Sequence, residues 1–343
     1  MIVTRHPSLK YFNSFGVEAT AGLMLTMERE DDLPAMPAFD AASDFLLGGG
    51  SNVLFASDVP GTVYRNGILG KAIVSSDSDH AWVEAAAGEN WHELVRWTLQ
   101  EGLSGLENLS LIPGLAGAAP IQNIGAYGVE LSALLENVTA WDLARASWRT
   151  FSLDECQPGY RDSYFKSVAP DRYLITSIRL RLDRNFSPQL DYKGLREELE
   201  PPQAGELTAL QVSDAVMRIR QRKLENPAAI GNAGSFFKNP IVRTTQCQAM
   251  AERFTGIPNW PVTHDTSKLS AAWMIEHCGL KGYREGDAGV SERHALVLVN
   301  HGKASGRQIL NLARTIQSRV QETFDVLLEP EPRVVDYSAL KRS

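Results

Sequence analysis

Residues 231–240 read Gly-Asn-Ala-Gly-Ser-Phe-Phe-Lys-Asn-Pro, and this stretch is the most informative one in the chain. Its glycines permit a positive φ or a close approach of the backbone to a ligand. Ser235 to Lys238 is predicted as a short strand that Pro240 ends. Alternation would place Ser235 and Phe237 on one face and Phe236 and Lys238 on the other. Alone, the segment is more typical of a glycine turn leading into a buried strand than of a catalytic centre.

The composition is that of a globular protein with two or three domains. The 343 residues are 43% apolar and 22% charged, and the formal net charge is −7. An acidic chain is unfavourable for nucleic-acid binding, and an anionic ligand would need a local cluster of lysine and arginine. Cys156, Cys247 and Cys278 are widely spaced and odd in number, which predicts neither a disulfide framework nor a metal site.

The N-terminal region and the apolar runs bear on location. Residues 1–11 lack the apolar core of a signal peptide, and no apolar run approaches the roughly 18 residues that span a bilayer. We therefore expect a soluble, intracellular protein without membrane insertion.

Two glycine-rich segments lie before the middle of the chain. Gly48-Gly49-Gly50 stands between two strand-like pieces, without the following helix of a Rossmann fingerprint or the lysine of a Walker A loop. Successive N–H groups in such a turn can still bind phosphate oxygens. The second segment covers residues 111–128. Two such loops suit an extended dinucleotide held by backbone donors, although a tight crossing of loops would use glycines equally well.

The capping and periodicity patterns predict several elements. Asn90 is expected to cap a helix that ends at Gly102, and Ser305 a long helix with a regular apolar stripe. Residues 267–278 are predicted as one helix, and residues 174–182 as a half-solvated strand. Pro201-Pro202 is read as a boundary.

A predicted helix around residues 212–223 ends in an unusual concentration of positive charge. Arg218, Arg220, Arg222 and Lys223 lie within six residues. Basic residues at a helix C-terminus ordinarily compensate the helix dipole, worth a few tenths of a kcal/mol each. Four cations exceed that need, so an anion site is a reasonable hypothesis here.

Ser235 could act either as a nucleophile or as a proton donor. A hydrolase would place it in a G-x-S-x-G elbow, but Gly234 precedes it directly and Phe237 stands where the second glycine belongs. A neutral hydroxyl can instead protonate a strongly basic carbon within hydrogen-bond reach. Charge that develops on a neighbouring carboxylate would then need fixed donors, for which a guanidinium is well suited.

The decapeptide resembles the catalytic segment of the UDP-N-acetylenolpyruvoylglucosamine reductases, tyrosine-loop type (type I). Further matches occur in family order at residues 47–54, 88–91, 112–114, 120–128, 159–163 and 328–331. The resemblance implies an α+β fold with a two-lobed FAD-binding region of the vanillyl-alcohol-oxidase/PCMH type plus an α/β substrate-binding domain. The implied domains are residues 1–70 and 71–210 for the two lobes and 211–325 for substrate, with a C-terminal tail, 326–343, returning to the site.

The resemblance also assigns the catalytic residues. Ser235 is implied as the acid that protonates the substrate carbon, Arg161 as the group that polarises the enolpyruvyl carboxylate, and Glu331 as its co-stabiliser. From the residues alone, Arg161 would more simply pair with Asp162 or another acid. Glu329 is close enough to be confused with Glu331, and the motif match selects Glu331.

The ligand-binding residues are implied in the same way. Substrate binding falls to Tyr160, Tyr192, Lys223 and Asn239. FAD binding falls to Gly48, Gly49, Gly50, Ser51, Asn52, Pro113, Gly114, Gly117, Asn123, Gly125, Ala126, Tyr127, Gly128 and Arg220. Leu115, Ala118 and Ala119 depart from relatives that carry Ser or Thr there, so this chain relies more on backbone donors.

The implied activity is an NADPH-dependent, FAD-mediated reduction of UDP-N-acetylglucosamine enolpyruvate in bacterial peptidoglycan precursor synthesis, in the cytoplasm. A different flavin reductase or dehydrogenase of the same fold remains an alternative, as does a non-catalytic binder of UDP-sugars whose glycine loops are only structural.

Overall fold

The computed structural model describes residues 1–199 and 206–338 and mixes strands with helices. The strands are β1 (Ile2–Arg5), β2 (Ala21–Met27), β3 (Phe45–Leu47), β4 (Val53–Phe55), β5 (Val59–Asn66), β6 (Lys71–Ser76), β7 (His80–Ala86), β8 (Gly125–Ala126), β9 (Val129–Glu130), β10 (Leu135–Asp142), β11 (Ser147–Ser152), β12 (Tyr173–Asp183), β13 (Gly231–Ser235), β14 (Ile241–Arg243), β15 (Asn259–Pro261), β16 (Thr266–Leu269), β17 (Arg284–Glu285), β18 (Ala288–Val290), β19 (Val297–Asn300) and β20 (Arg333–Val335). The α-helices are α1 (Trp91–Gln100), α2 (Leu153–Cys156), α3 (Leu195–Glu198), α4 (Ala209–Lys223), α5 (Thr244–Arg253), α6 (Ala271–His277) and α7 (Gly306–Phe324). Short helical turns lie at Lys10–Phe12, Glu30–Ala35, Glu107–Leu109, Ala116–Ala118, Pro120–Gln122, Leu131–Ala133 and Tyr164–Val168. The predicted α+β class is confirmed.

The chain divides into two compact units. The first unit contains Met1–Pro7, Ala21–Gly49 and Val59–Arg222, and the second contains Ser8–Thr20, Gly50–Asp58 and Lys223–Ser343. The domain boundaries near residues 70, 210 and 325 remain predictions. The boundary read at Pro201-Pro202 and the end of the tail, residues 339–343, lie outside the described residues.

The first unit contains two larger sheets and the two-stranded sheet β8-β9. One larger sheet has the strand order β1-β2-β5-β3, and the other has the order β11-β10-β12-β7-β6. α1 begins where the Asn90 side chain accepts a hydrogen bond from the N–H of Glu93 (3.1 Å), as predicted. Its buried face, including Leu94 and Val95, joins a hydrophobic cluster with β7, β10 and β12. Buried residues from the irregular segment 103–135 belong to the same cluster, so this long loop is anchored to the core.

The second unit contains three small sheets and a long helix. The sheet orders are β13-β19-β18-β17, β14-β16-β15 and β20-β4. Ser305 caps α7 with Gln308 as its reciprocal partner, and the predicted stripe Ile309, Leu312, Ile316 and Val320 is fully buried. The helix therefore packs its apolar face against the unit's own strands.

Two predicted elements were wrong in detail. Residues 267–278 are not one helix: Thr266–Leu269 forms the central strand of a sheet, and Ser270 then caps α6. The strand predicted for residues 235–238 lies earlier, at Gly231–Ser235. Phe236 and Phe237 are both buried, so they do not alternate between two faces.

No helix in residues 1–199 and 206–338 is long and apolar enough to cross a membrane. The same residues contain no group of three or more His, Cys, Asp or Glu side chains suited to a metal ion.

Candidate active site

The backbone around Ser235 is shaped by close approaches that only glycine permits. A Cβ on Gly231 would lie 2.1 Å from the carbonyl oxygen of Phe15, and Gly234 has a φ of +70°. The side chain of Asn232 is buried, and its oxygen accepts the N–H of Gly234 (2.9 Å). The pairing of β13 with β19 is irregular between Asn232 and Ser235, as at a β-bulge. Such a bulge re-aims the side chain that follows it.

Ser235 itself stands at the end of β13 with its side chain half-buried. Its hydroxyl has no hydrogen-bond partner among the described residues. The next two residues are held firmly, because the N–H of Phe236 donates to Leu296 (2.7 Å) and Phe237 forms a bridge with Pro330. An accessible hydroxyl on a rigid backbone is available to a ligand.

Glu331 lies on the segment that pairs with this strand. Its N–H donates to the carbonyl of Phe236 (2.8 Å), and the N–H of Lys238 donates to Glu329 (3.0 Å). The second unit therefore brings Ser235 and Glu331 onto adjacent backbone segments. Glu329 differs from Glu331, since its exposed side chain forms an ion pair with Lys238 (3.2 Å).

Part of the first glycine loop is attached to the same region of the second unit. A Cβ on Gly50, whose φ is +67°, would lie 1.9 Å from the carbonyl oxygen of Phe12. The side chain of Asn52 donates to the carbonyl of Glu331 (3.4 Å), and its own carbonyl accepts the N–H of Arg333 (3.0 Å). Asn52 is thus hydrogen-bonded to the segment that carries Glu331, whereas Gly50 packs against Phe12.

Two implied substrate residues lie in the second unit. The side-chain oxygen of Asn239 accepts the N–H of Ala271 (3.0 Å), which directs its amide NH₂ elsewhere. Lys223 lies near His294, whose pKa is lowered by burial first and then by Lys223 and Lys281. Sequence reasoning missed His294 and Lys281, because they are more than 50 residues from Lys223 and belong to no motif.

The second glycine-rich segment lies in the first unit and is densely packed. A Cβ on Gly117 would lie 2.3 Å from the Cβ of Ala87, so only glycine fits at this position. The buried side chain of Asn123 donates to Glu130 (3.0 Å) and to the carbonyl of Gly159 (3.2 Å). Asn123 thereby joins this loop to the segment that carries Arg161.

Arg161 has a positive φ of +54° and donates through Nη2 to the carbonyl of Gly125 (2.8 Å). Its guanidinium lies 5.3 Å from the centre of the Tyr160 ring. Asp162 accepts the Ser163 N–H (2.9 Å) and the Ser167 hydroxyl (2.5 Å). The carboxylate of Asp162 is thus engaged locally.

The cations of α4 divide into two kinds. Arg218 and Arg222 both bind Glu198, at 3.0 and 2.7 Å, and lower the pKa of that carboxyl. The structural explanation therefore suffices for these two residues. Arg220 instead lies beside the Tyr127 hydroxyl, and burial lowers its pKa. Tyr127 packs edge-on against Tyr192 with ring centres 4.7 Å apart.

The Nε atom of Arg220 is buried and has no hydrogen-bond partner in residues 1–199 and 206–338. A buried guanidinium with an unused donor is costly unless an anion or acceptor completes it. Together with the close backbone approaches at Gly49 and Gly117, which lie in the same unit, this unpartnered donor fits a large anionic cofactor such as a flavin dinucleotide.

Comparison with known proteins identifies the class first. Residues 44–150 match the model of the FAD binding domain family, and residues 226–335 match that of the UDP-N-acetylenolpyruvoylglucosamine reductase C-terminal domain. The chain is therefore an FAD-dependent oxidoreductase.

Whole-length relatives identify the family. A UDP-N-acetylenolpyruvoylglucosamine reductase of Xanthomonas oryzae pv. oryzae is 49% identical over 97% of this chain and 99% of its own length. One from Chromobacterium violaceum is 47% identical over 95% and 97%, respectively. The crystal structure of the Thermus caldophilus enzyme (MurB) is 28% identical, covers 98% of this chain and all of its own, and superposes with a TM-score of 0.67. The chain belongs to the UDP-N-acetylenolpyruvoylglucosamine reductase family.

Family membership confirms several predictions from the sequence. The protein is an enzyme of peptidoglycan synthesis, FAD is its cofactor and NADPH its co-substrate. The non-catalytic binder considered from the sequence is set aside. The individual site residues and their roles remain predictions.

Proposed function

We propose that the chain reduces UDP-N-acetylglucosamine enolpyruvate to UDP-N-acetylmuramate, with Ser235 as the proton donor. The observation that carries this proposal is the half-buried Ser235 hydroxyl without a hydrogen-bond partner among the described residues, on a backbone paired directly with the Glu331 segment. A hydroxyl held this way is free to donate to a substrate atom.

Bound FAD would supply, through its N5 atom, the hydride for the methylene carbon of the enolpyruvyl group. The adjacent carbon then carries carbanion character that is delocalised into the carboxylate. Ser235 donates its proton to that carbon. A serine hydroxyl is a weak acid, so the transfer requires a strongly basic acceptor at hydrogen-bond distance, and the rigid Phe236 backbone supports that placement.

Arg161 and Glu331 are proposed to stabilise the negative charge that develops on the enolpyruvyl carboxylate of the substrate. The fork of a guanidinium matches a carboxylate bidentately and stabilises charge as it develops. The bond from Arg161 Nη2 to Gly125 restricts the orientation of the guanidinium. Glu331 is proposed as the co-stabiliser, and its position next to Phe236 is fixed by a backbone hydrogen bond.

Tyr192, Lys223 and Asn239 are proposed to bind the diphosphate of the substrate, as in the tyrosine-loop type of the family. Lys223 contributes charge, and the amide NH₂ of Asn239 is left to donate because its oxygen is already bound to Ala271. Tyr160 is proposed to contact the substrate through its position beside Arg161.

FAD is proposed to be held mainly by backbone N–H groups of residues 48–52 and 113–128, with Arg220 supplying the buried charge.

We also propose that the enzyme prefers NADPH to NADH and that it acts in the cytoplasm. Both follow the family resemblance.

The experiment that tests this function is an anaerobic spectrum of the purified holoenzyme. NADPH is expected to bleach the flavin bands faster than NADH does, and UDP-N-acetylglucosamine enolpyruvate is expected to restore them with formation of UDP-N-acetylmuramate. A reduced flavin that this substrate cannot reoxidise would instead indicate a flavoenzyme with another substrate.

A further inference from the structure

The N-terminal turn of α1 fixes residues 109–114 at three points, and we call these residues the 109–114 turn. The indole N–H of Trp91 donates to the carbonyl of Leu109 (3.0 Å), and the backbone N–H of Trp91 donates to Gly114 (3.0 Å). Between them, the N–H of Leu111 donates to Nδ1 of His92 (3.0 Å). All of these residues lie in the first unit.

Leu111 is the strained position of this turn. Its φ is +58°, a left-handed conformation that is costly for a leucine. Its side chain is only half-buried, so packing alone does not impose this conformation. The preceding Ser110 is fully buried and shares a hydrogen bond with Ser213 (2.7 Å), which leaves the His92 contact as the specific restraint on Leu111 itself.

We propose that His92 is a positioning residue for FAD, which holds Leu111 in its left-handed conformation and thereby presents Pro113 and Gly114 to the cofactor. This inference rests on the proposed assignment of residues 113–128 to FAD. His92 acts through the backbone of the turn and does not itself touch the cofactor. Its function requires a neutral imidazole with Nδ1 unprotonated.

The surroundings of His92 maintain that neutral form. Burial lowers its pKa first, and Arg96 and Arg220 lower it further, whereas Glu93 raises it. Arg96 belongs to the same helix and is itself bound to Ser213 (2.9 Å) and Asp214 (2.7 Å). Protonation would turn Nδ1 into a donor facing the Leu111 N–H, so the restraint would be lost in acid.

The decisive experiment measures FAD binding to deflavinated full-length protein by quenching of flavin fluorescence, which does not depend on turnover. His92→Phe removes the acceptor and is expected to weaken FAD binding about tenfold or more. His92→Asn restores an acceptor oxygen at the position of Nδ1 and is expected to stay within about threefold of the wild type.

A second substitution separates positioning from simple packing. Glycine adopts a positive φ without strain, so Leu111→Gly should recover much of the FAD affinity lost in His92→Phe while changing the wild-type affinity little. Wild-type affinity should also be level between pH 7 and 8 and fall only below the usual histidine pKa of about 6.5. The His92→Asn variant should not show that fall.

Three results would overturn the inference. These are unchanged FAD affinity in His92→Phe, an equal loss with and without Leu111→Gly, or the same pH profile in His92→Asn and the wild type. If His92→Phe does not fold, the pH profiles of the wild type and His92→Asn decide the matter. Failure of wild-type apoprotein to bind FAD would instead contradict the proposed function, and this inference with it.

Discussion

At the residue scale, the chemistry depends on which polar groups the fold leaves unused. The Asn232 side chain forms hydrogen bonds with backbone groups, and the Asp162 carboxylate accepts hydrogen bonds from Ser163 and Ser167. The Ser235 hydroxyl, in contrast, has no hydrogen-bond partner within residues 1–199 and 206–338, and neither does Nε of Arg220. A donor at a half-buried position that has no partner in the protein can form its hydrogen bond with a ligand.

The two glutamates of the C-terminal segment provide a matched pair. Glu331→Gln is expected to lower kcat by about a hundredfold or more, because the variant loses a charge proposed to act in the transition state. Glu329→Gln should stay within about twofold, since Glu329 is 70% exposed and its bond to Lys238 is a surface ion pair. Steady-state kinetics of both variants provide the measurement. Equal losses would show that the motif selects the wrong carboxylate.

Arg161 offers a test of geometry rather than charge. Arg161→Lys keeps the positive charge but loses the planar fork and its bond to Gly125. We expect kcat to fall by about tenfold to a hundredfold with a smaller change in KM. Arg222→Lys is the control, because Arg222 pairs with Glu198 on the surface. Unchanged turnover in Arg161→Lys would remove Arg161 from the site.

At the element scale, local signals were predicted well and long-range pairings were not. The caps Asn90 and Ser305 depend on residues three positions away, so the sequence contains the whole signal. Residues 266–269 form a strand because β14 and β15 pair with them on both sides. Nothing within that segment reveals those partners, and its helical pattern continues smoothly into α6.

Residues 231–240 are a second case in which long-range contacts could not be predicted from the local sequence. Both Phe236 and Phe237 are buried because the chain leaves regular pairing after Ser235 and meets Leu296 and Pro330 in turn. Pro330 is more than 90 residues further along the chain. Alternation predicts burial only where a strand has one covered face. The resemblance placed Ser235 and Glu331 together for reasons of chemistry, and it missed His294, which belongs to no motif.

The cap of α7 gives a stability prediction for this scale. Ser305→Ala removes the hydroxyl that accepts the N–H of Gln308 (3.3 Å) and should lower the free energy of unfolding by about 1 kcal/mol. Ser318→Ala, at an exposed position of the same helix, should be neutral or slightly stabilising because alanine favours helix. Urea denaturation of both variants measures the difference. A loss of equal size in both would contradict the role of the cap.

At the scale of the whole molecule, the sequence established the family and the α+β class, because many short motifs in one order survive over the full chain. It could not establish the division observed here. The boundary between the two units passes between Gly49 and Gly50, inside a single loop, and residues 8–20 belong with the C-terminal half. Such an exchange of segments depends on packing of distant strands such as β4 with β20. The amino-acid composition along the chain gives no sign of this division into two units.

The pH dependence of stability belongs to the same scale. The pKa values of His92 and His294 are lowered below 6.5, so the unfolded chain binds more protons than the native state in mild acid. The free energy of unfolding should therefore fall as the pH drops from about 6.5 towards the native pKa values. His294→Gln should make this fall shallower, whereas His264→Gln, at a highly exposed position, should not. Identical pH slopes for His294→Gln and the wild type would contradict the buried neutral histidine.

The central claim, that Ser235 gives its proton to the reduced carbon, is tested most directly by stopped-flow measurement of the two half-reactions in Ser235→Ala. We predict that NADPH reduces the flavin of this variant at nearly the wild-type rate, because no proton donor at carbon is needed in that step. Reoxidation by UDP-N-acetylglucosamine enolpyruvate should be slower by about a thousandfold or more. If both half-reactions slow equally, or if reoxidation keeps its wild-type rate, Ser235 is not the proton donor.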